Sequence, residues 1–349
     1  MRARWTRRPS HSPATPENAA MRAQSAPVIP AKAGSQHRGT SWIPAFAGMT
    51  ALSGRSILAV CLLLGASTWA SAQADTAQLT GTLAKVRESG TIVLGHRESS
   101  IPFSYLSTRG EPIGYSVDLC KLLVDAISEE VGRTIAIKWQ QVTSESRLQA
   151  VASGRVDMEC GSTTSNLERQ KLVSFSPTFF VSGTKLLVKK SSSVKTFRDL
   201  AGKKVAVTAG TTNEKTMKDL AAKFKVDMAI TVATDHAASF ALLTSGQVDA
   251  FATDDVLLYG LVAQNKLQGE YVVTGDFLSY DPYGVMFRKG DAQLARLVND
   301  TFHHLAEDRE IERRYTRWFL RKLPNGVSLD LPMSPQLETI IQTMVARTE

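Results

Sequence analysis

The alternation of apolar and polar positions divides the chain into two parts that read alike. In the first, 91–95 is a short apolar run of the kind a buried strand shows, and a polar loop follows from His96 to Ser104. From 116 to 131 apolar residues recur at 117, 120, 123/124, 127 and 131, one face of an amphipathic helix. The stretch 134–139 alternates as a half-buried strand does, Ser144 is placed to cap a helix reaching about 153, and 156–160 is the next strand.

From Gly183 the series starts again. A strand at 204–208 leads to a helix opened by the capping box Thr211-x-x-Glu214. A strand at 230–232, a helix at 235–245 and a strand at 248–253 follow, and Asp254 stands at the start of another helix. Beyond 280 come a strand at 283–287 and helices at about 291–306 and 309–320. A Pro/Asn/Gly-rich break at 324–335 precedes a last helix from Ser334. Strands alternating with helices predict an α/β fold with mostly parallel sheets flanked by helices. The pentapeptide Ser153-Gly-Arg-Val-Asp157 recurs as Ser245-Gly-Gln-Val-Asp249, which fits two similar α/β lobes in one chain. Ligands of such sheets bind beyond the carboxyl ends of the strands. Those ends carry Arg97 and Ser162 in the first lobe and Thr211 and Asp254 in the second, so a cleft between facing lobes would bring them together.

The densest chemistry lies between Glu159 and Gln170. A strand runs out into Gly161, Ser162, Thr163 and Thr164, and Ser165-x-x-Glu168 has the form of a capping box. A helix N-terminus behind a row of hydroxyls is an anion site, because its first N–H groups have no intrahelical partners. Arg169 adds a fork suited to a carboxylate.

Charge changes this picture little. The 349 residues carry a net +8, but eight of the 41 basic residues and only one of the 33 acidic ones fall in 1–72, leaving the body at +1. The basic total is therefore no argument for nucleic-acid binding. The same N-terminal stretch has an apolar core at 57–66 after Arg55 and an Ala70-Ser71-Ala72 cleavage signature, so 1–72 reads as a leader with a secretory signal peptide cut after Ala72. Met49 is the expected initiator, and export places the mature protein in the periplasm. The apolar run is too short to span a bilayer. Cys120 and Cys160 remain after cleavage. They could pair in an oxidising compartment, but a predicted helix and a predicted strand end cannot be set at bonding distance from sequence, and two buried free thiols are the favoured reading.

No G-x-S-x-G elbow, P-loop, G-x-G-x-x-G or H-E-x-x-H is present, and no metal-ligand or cofactor spacing. A Ser/His/Asp set can be drawn from Ser162, His236 and Asp254, but two or three arginines and one acid suit a zwitterionic dicarboxylate and supply no obvious general base.

Several motifs fall in a known order: Gly81 to Gly95, Gly114-Tyr-Ser-Val-Asp118, Ser153-Gly-Arg-Val-Asp157, and Glu168-Arg169 followed by Phe175-Ser-Pro177. Over roughly 80–325 the chain resembles the family 3 periplasmic solute-binding proteins of amino-acid ABC importers. Gly95-His-Arg-Glu-Ser-Ser100, Glu159-Cys-Gly-Ser-Thr-Thr164 and Thr253-Asp-Asp255 are similar to the acidic amino-acid binders within it. The resemblance implies the type II two-lobed fold, its lobes joined by two crossover hinge strands near 181–184 and 279–281. Lobe 1 would be 78–182 plus 280–325, lobe 2 would be 183–279, and 326–349 a tail with a short helix. It implies that Arg169 clamps the ligand α-carboxylate and that an acid of the Asp254–Asp255 pair, preferably Asp254, takes the α-ammonium. Arg97 and Arg147, with Ser144 and His236, would hold a side-chain carboxylate, while Ser162, Thr164, Thr211 and Thr212 hydrogen-bond the ligand. Without the resemblance, Arg97 could be solvated beside Glu98, Arg147 could lie on an exposed helix face, and His236 could be a surface residue of a helix start. Phe103 and Tyr105 could floor the pocket or belong to the core.

The function implied is a monomeric binding component that delivers L-glutamate or L-aspartate to a membrane permease, with no cofactor, metal or nucleic-acid partner. A dry cleft would leave an arginine unpaired against glutamine or asparagine, so acids should be preferred. An exported enzyme on the same fold, dehydratase-like, and a soluble amino-acid sensor are the alternatives.

Overall fold

The computed structural model describes residues 78–346. The leader, the initiator and the cleavage point lie outside the described residues.

Helix α1 (Gly81–Ser89) leads into β1 (Thr91–His96). A small antiparallel sheet of β2 (Ser99–Ser100), β3 (Ser104–Leu106) and β4 (Pro112–Ile113) follows, then α2 (Tyr115–Val131), β5 (Ala136–Gln141), α3 (Arg147–Ala152), β6 (Met158–Glu159) and β7 (Val173–Phe175). After β8 (Phe180–Ser182) come β9 (Thr184–Lys189), β10 (Lys204–Thr208), α4 (Thr212–Phe224), β11 (Ala229–Ala233), α5 (His236–Thr244), β12 (Ala250–Asp254), α6 (Asp255–Gln264) and β13 (Tyr271–Thr274). The chain ends with β14 (Asp281–Tyr283), β15 (Met286–Arg288), α7 (Ala292–Glu307), α8 (Glu310–Tyr315) and α9 (Pro335–Val345).

Two five-stranded sheets carry the fold among the described residues, in the orders β5-β1-β6-β15-β7 and β11-β10-β12-β9-β13. In each, the first three strands are parallel and the fourth runs against its neighbours. The fourth strand enters directly after a crossing: β9 follows β8, and β15 follows β14. Strands β8 and β14 pair antiparallel, Ser182 against Asp281 and Phe180 against Tyr283, and link the two lobes.

The repeated pentapeptide has one structural job in both lobes. Gly154 and Gly246 take φ of 74° and 78°, left-handed turns that a side chain would strain. Asp157 and Asp249 then tie the third strand to the first. Asp157 accepts from Val93 N at 2.9 Å and Asp249 from Lys204 N at 2.8 Å, while their own N–H groups donate to Val93 O and Lys204 O at 2.8 Å each.

Helix α2 buries Val117, Cys120, Leu123, Val124, Ile127 and Val131, the stripe its periodicity predicts. Each of the aliphatic side chains among these contributes about 1.5–3 kcal/mol on leaving water. Beside it, rings of Phe103, Tyr115, Phe180, Tyr283 and Phe319 meet mostly edge-on, with Phe180 stacked on Phe319. Phe103 is therefore core, and Tyr105 packs on Trp318.

Several boundaries differ from expectation. The strand expected at 156–160 is only Met158–Glu159, because Val156 is still held by a turn onto Ala150 O. The strand expected at 283–287 splits into β14 and β15, since Tyr283 belongs to the crossing and Met286 to the sheet. The helix expected at 309–320 passes from α8 into a π-helical turn, Thr316–Leu320. Cys120 and Cys160 are joined in a disulfide, Cα–Cα 6.1 Å, correcting the free-thiol reading; the tertiary fold lays α2 against the end of β6.

Candidate functional site

The carboxyl ends of β1, β6, β10 and β12 converge on one cleft. Arg97 follows β1 and is buried to 1% exposure, not solvated beside Glu98. Its N–H donates to Ser104 Oγ at 2.9 Å and its Nη2 to Ser144 Oγ at 2.6 Å. Ser144 is thus taken up by Arg97 and does not cap α3. That helix starts at Arg147, and the turn before it is closed by Thr143 and Ser146, whose hydroxyls and N–H groups satisfy one another. The shift turns Arg147 inward, to 2% exposure. Its Nη1 donates to Thr163 Oγ1 at 2.7 Å and Ser162 O at 3.2 Å.

The capping box at Ser165 does not form. Ser165 Oγ accepts from Gln170, Asn166 Oδ1 accepts from Arg169 N at 2.9 Å, and the helix is a single 3₁₀ turn, Arg169–Lys171. The chain must enter β7 at Val173, which leaves no room for an α-helix. No helix N-terminus therefore backs the hydroxyl row; the positive charge there is Arg169 itself. Its guanidinium donates to Thr164 O at 2.9 Å and, across the cleft, to Gly210 O at 3.3 Å.

Burial pushes all three guanidinium pKa values down. Arg97 falls to about 9, from burial and the neighbouring Arg147. Arg169 falls to about 10 for the same two reasons. Arg147 is lowered chiefly by burial, with Glu159 opposing. His236 is buried at 2% exposure, not a surface cap, with Nδ1 at 3.0 Å from Thr208 Oγ1. Burial, then Arg97 and Arg147, hold it well below its ordinary value, so it is neutral. Asp235 caps α5 by accepting from Ala238 N.

Opposite the arginines stands Asp254, which accepts from Asn213 Nδ2 at 2.8 Å and from Tyr283 OH. Burial and Asp281 push it up to about 7. Asp255 faces another way and accepts from Ser182 Oγ on the crossing at 2.7 Å. Asp281, on β14, accepts from Thr164 Oγ1 at 3.1 Å, from Thr212 Oγ1 at 2.8 Å and from Ser279. Thr164 and Thr212 also lie 3.3 Å apart, so this carboxylate links both lobes.

Of the expected site residues, Arg97, Ser144, Arg147, Ser162, Thr164, Arg169, Thr212, His236 and Asp254 gather around the cleft. Thr211 uses its hydroxyl locally, donating to Thr208 O and accepting from Glu214 N as the cap of α4. The Glu214 carboxylate in turn accepts from Gly210 N at 2.9 Å. Glu159, Thr163, Asn213, Asp281 and Tyr283 were not foreseen; only the sequence position of Glu159 and Thr163 beside Ser162 hinted at them. Several fully buried atoms have no hydrogen-bond partner among the described residues, including Arg97 Nη1, Arg147 Nε, Glu159 Oε1 and Ser162 Oγ. Buried polar groups are rarely left so, and four in one cleft mark a polar binding site. Among the described residues no cluster of His, Cys, Asp and Glu could hold a metal ion, and no helix is long and apolar enough to cross a membrane.

The sequence pattern of the bacterial extracellular solute-binding proteins, family 3, matches residues 92–321. The chain is 46% identical over 267 residues to an L-glutamate/L-aspartate-binding protein of Pseudomonas aeruginosa, covering 76% of this chain and 88% of that protein. It is 38% identical over 291 residues to a glutamate/aspartate import solute-binding protein of Escherichia coli, covering 82% and 95%. A solved ancestral amino-acid-binding protein, described as a precursor of cyclohexadienyl dehydratase, superposes with a TM-score of 0.59 at 30% identity, over 68% of this chain and 99% of that one. Two lobes on paired crossings, a polar cleft between their strand ends and these matches agree: the chain belongs to the family 3 bacterial extracellular solute-binding proteins.

Proposed function

We propose that this protein binds L-glutamate or L-aspartate between its lobes, in the periplasm, and hands it as a monomer to the permease of an ABC importer. The lobes are 78–182 plus 280–325 and 183–279. The observation that carries the ligand class is the set of three guanidinium groups buried in one cleft opposite Asp254. Arg169 holds the α-carboxylate, with Thr164 and Thr212 beside it, and Asp254 holds the α-ammonium. Arg97, Arg147, Ser144, Ser162 and His236 surround the side-chain carboxylate. A neutral His236 adds no charge of its own, which leaves recognition of the acid to the arginines. The two binding proteins reported above, named for glutamate and aspartate, support the same reading.

Calorimetric titration of the mature protein with L-glutamate, L-aspartate and L-glutamine tests this. Heat with the two acids and at least tenfold weaker binding of glutamine is expected. Stronger binding of glutamine, or no binding of either acid, would overturn it. Co-purification with permease subunits expressed alongside tests the partner.

A further inference from the structure

Glu159 is an acid inside a cleft argued to select acids. It is fully buried at the end of β6. Its Oε2 accepts from Thr163 Oγ1 at 2.6 Å, and the same Thr163 oxygen accepts from Arg147 Nη1 at 2.7 Å. A Thr163 hydroxyl therefore relays between the carboxylate and the guanidinium. On its other side Glu159 lies over Gly161, next to the aliphatic stem of Arg97. A Cβ built on Gly161 would stand 2.2 Å from Glu159 Oε1 and 3.0 Å from Arg97 Cγ, so the bare glycine Cα lets both side chains lie over it. Glu159 Oε1, Arg97 Nη1 and Arg147 Nε are three of the four buried atoms named above as lacking partners in the cleft. Among the charges around Arg97 and Arg147, Glu159 is the strongest that favours their charged forms.

We infer that Glu159 is the resident counter-charge of the side-chain pocket and sets how strongly the protein discriminates an acidic from a neutral ligand. The inference rests on the acidic-ligand reading above. Two buried guanidinium groups without a counter-ion repel each other and are costly to keep charged. Glu159 offsets both through space and through Thr163 without occupying their free N–H groups. The cost falls on the ligand, because its side-chain carboxylate enters the field of a fixed negative charge. Neutralising Glu159 should therefore strengthen binding of the acid and leave, or weaken, binding of the amide. A residue that only propped up the arginines would do the opposite: its loss would displace them, and the acid would suffer most.

The test is calorimetry of Glu159→Gln with L-glutamate and L-glutamine, beside the wild type. The ratio of the glutamine Kd to the glutamate Kd should rise by at least about tenfold, the effect of one unit charge as far off as about 12 Å at an effective dielectric near 20. Glu159→Asp, which keeps the charge, should hold the wild-type ratio. If Glu159→Gln does not accumulate as folded protein, Thr163→Val reads the same quantity: it removes the hydroxyl that links the carboxylate to Arg147, and the ratio should rise by a smaller factor. An unchanged or reduced ratio in the folded variant read would overturn the inference while the wild-type affinities leave the ligand reading intact. A wild type that ignores glutamate would overturn the ligand reading itself.

Discussion

Ligand affinity should depend on pH through Asp254. Burial, with Asp281 alongside, pushes its carboxyl up to about 7, against the hydrogen bonds it receives from Tyr283 and Asn213. An ammonium group is held only by the ionised form, so the proton must leave as an amino acid binds. For a carboxyl titrating at 7, about one site in a hundred is ionised at pH 5, and affinity should fall about a hundredfold between a plateau above pH 8 and pH 5. Free glutamate keeps its charges across this window, its side-chain carboxyl titrating near about 4.3. Burial, then Arg97 and Arg147, hold His236 well below its ordinary value. Titrations at pH 5, 6, 7 and 8 give the slope. At pH 7, buffers of different ionisation enthalpy should report about half a proton released per ligand. Asp254→Asn should bind weakly at every pH and lose the slope. Constant affinity from pH 5 to 8 with no proton release would refute the assignment of Asp254. Stability runs the other way: a carboxyl raised in the folded state binds its proton more tightly there, so the protein without ligand gains stability as pH falls from about 7 toward the ordinary carboxylate range.

Arg147→Ala should weaken L-glutamate by on the order of a hundredfold or more, since the ligand carboxylate would lose a buried partner, and glutamine by much less; calorimetry with both ligands checks it. Opening the Cys120–Cys160 disulfide, which closes 40 residues, should cost about 4 kcal/mol of stability in the chain-entropy account, read as a shifted urea midpoint for Cys120→Ser/Cys160→Ser. Gly260 on α6 is the point where the second lobe meets the Ile101 loop of the first, and a Cβ there would stand 2.2 Å from Ile101 O. Gly260→Ala should improve the helix by about 1 kcal/mol yet hinder closure. The expected signature is weaker glutamate binding and a larger radius in small-angle scattering at saturating ligand, with no fall in Tm.

Periodicity carried the α/β plan because most strands and helices obey it: the α2 stripe and the two Ser-Gly-x-Val-Asp turns could be read directly. Short elements could not. Local capping rules put a helix at Ser165 and a cap at Ser144, but the first hydroxyl is taken by the nearby Gln170 and the second by the distant Arg97. The arginines were found because their charge is conspicuous in a strand-end context and matched a resemblance. Asp281 and Tyr283 escape a local reading because their meaning lies in the pairing of β8 with β14, and Asn213 because its partners, Thr184 and Asp254, lie on other strands. A buried disulfide is illegible for the same reason.

The exchange of fourth strands has a consequence for how the chain comes off the ribosome. The second sheet is complete once residue 274 has emerged, because all five of its strands lie between Thr184 and Thr274. The first is not. In it β15 sits between β6 and β7, so β7 has no neighbour in the sheet until Met286–Arg288 arrives more than a hundred residues later. The lobe synthesised first is thus the lobe finished last. Closure of the first sheet therefore waits on nearly the whole chain, a long-range pairing of the kind that slows folding, and the order of the strands alone sets that delay.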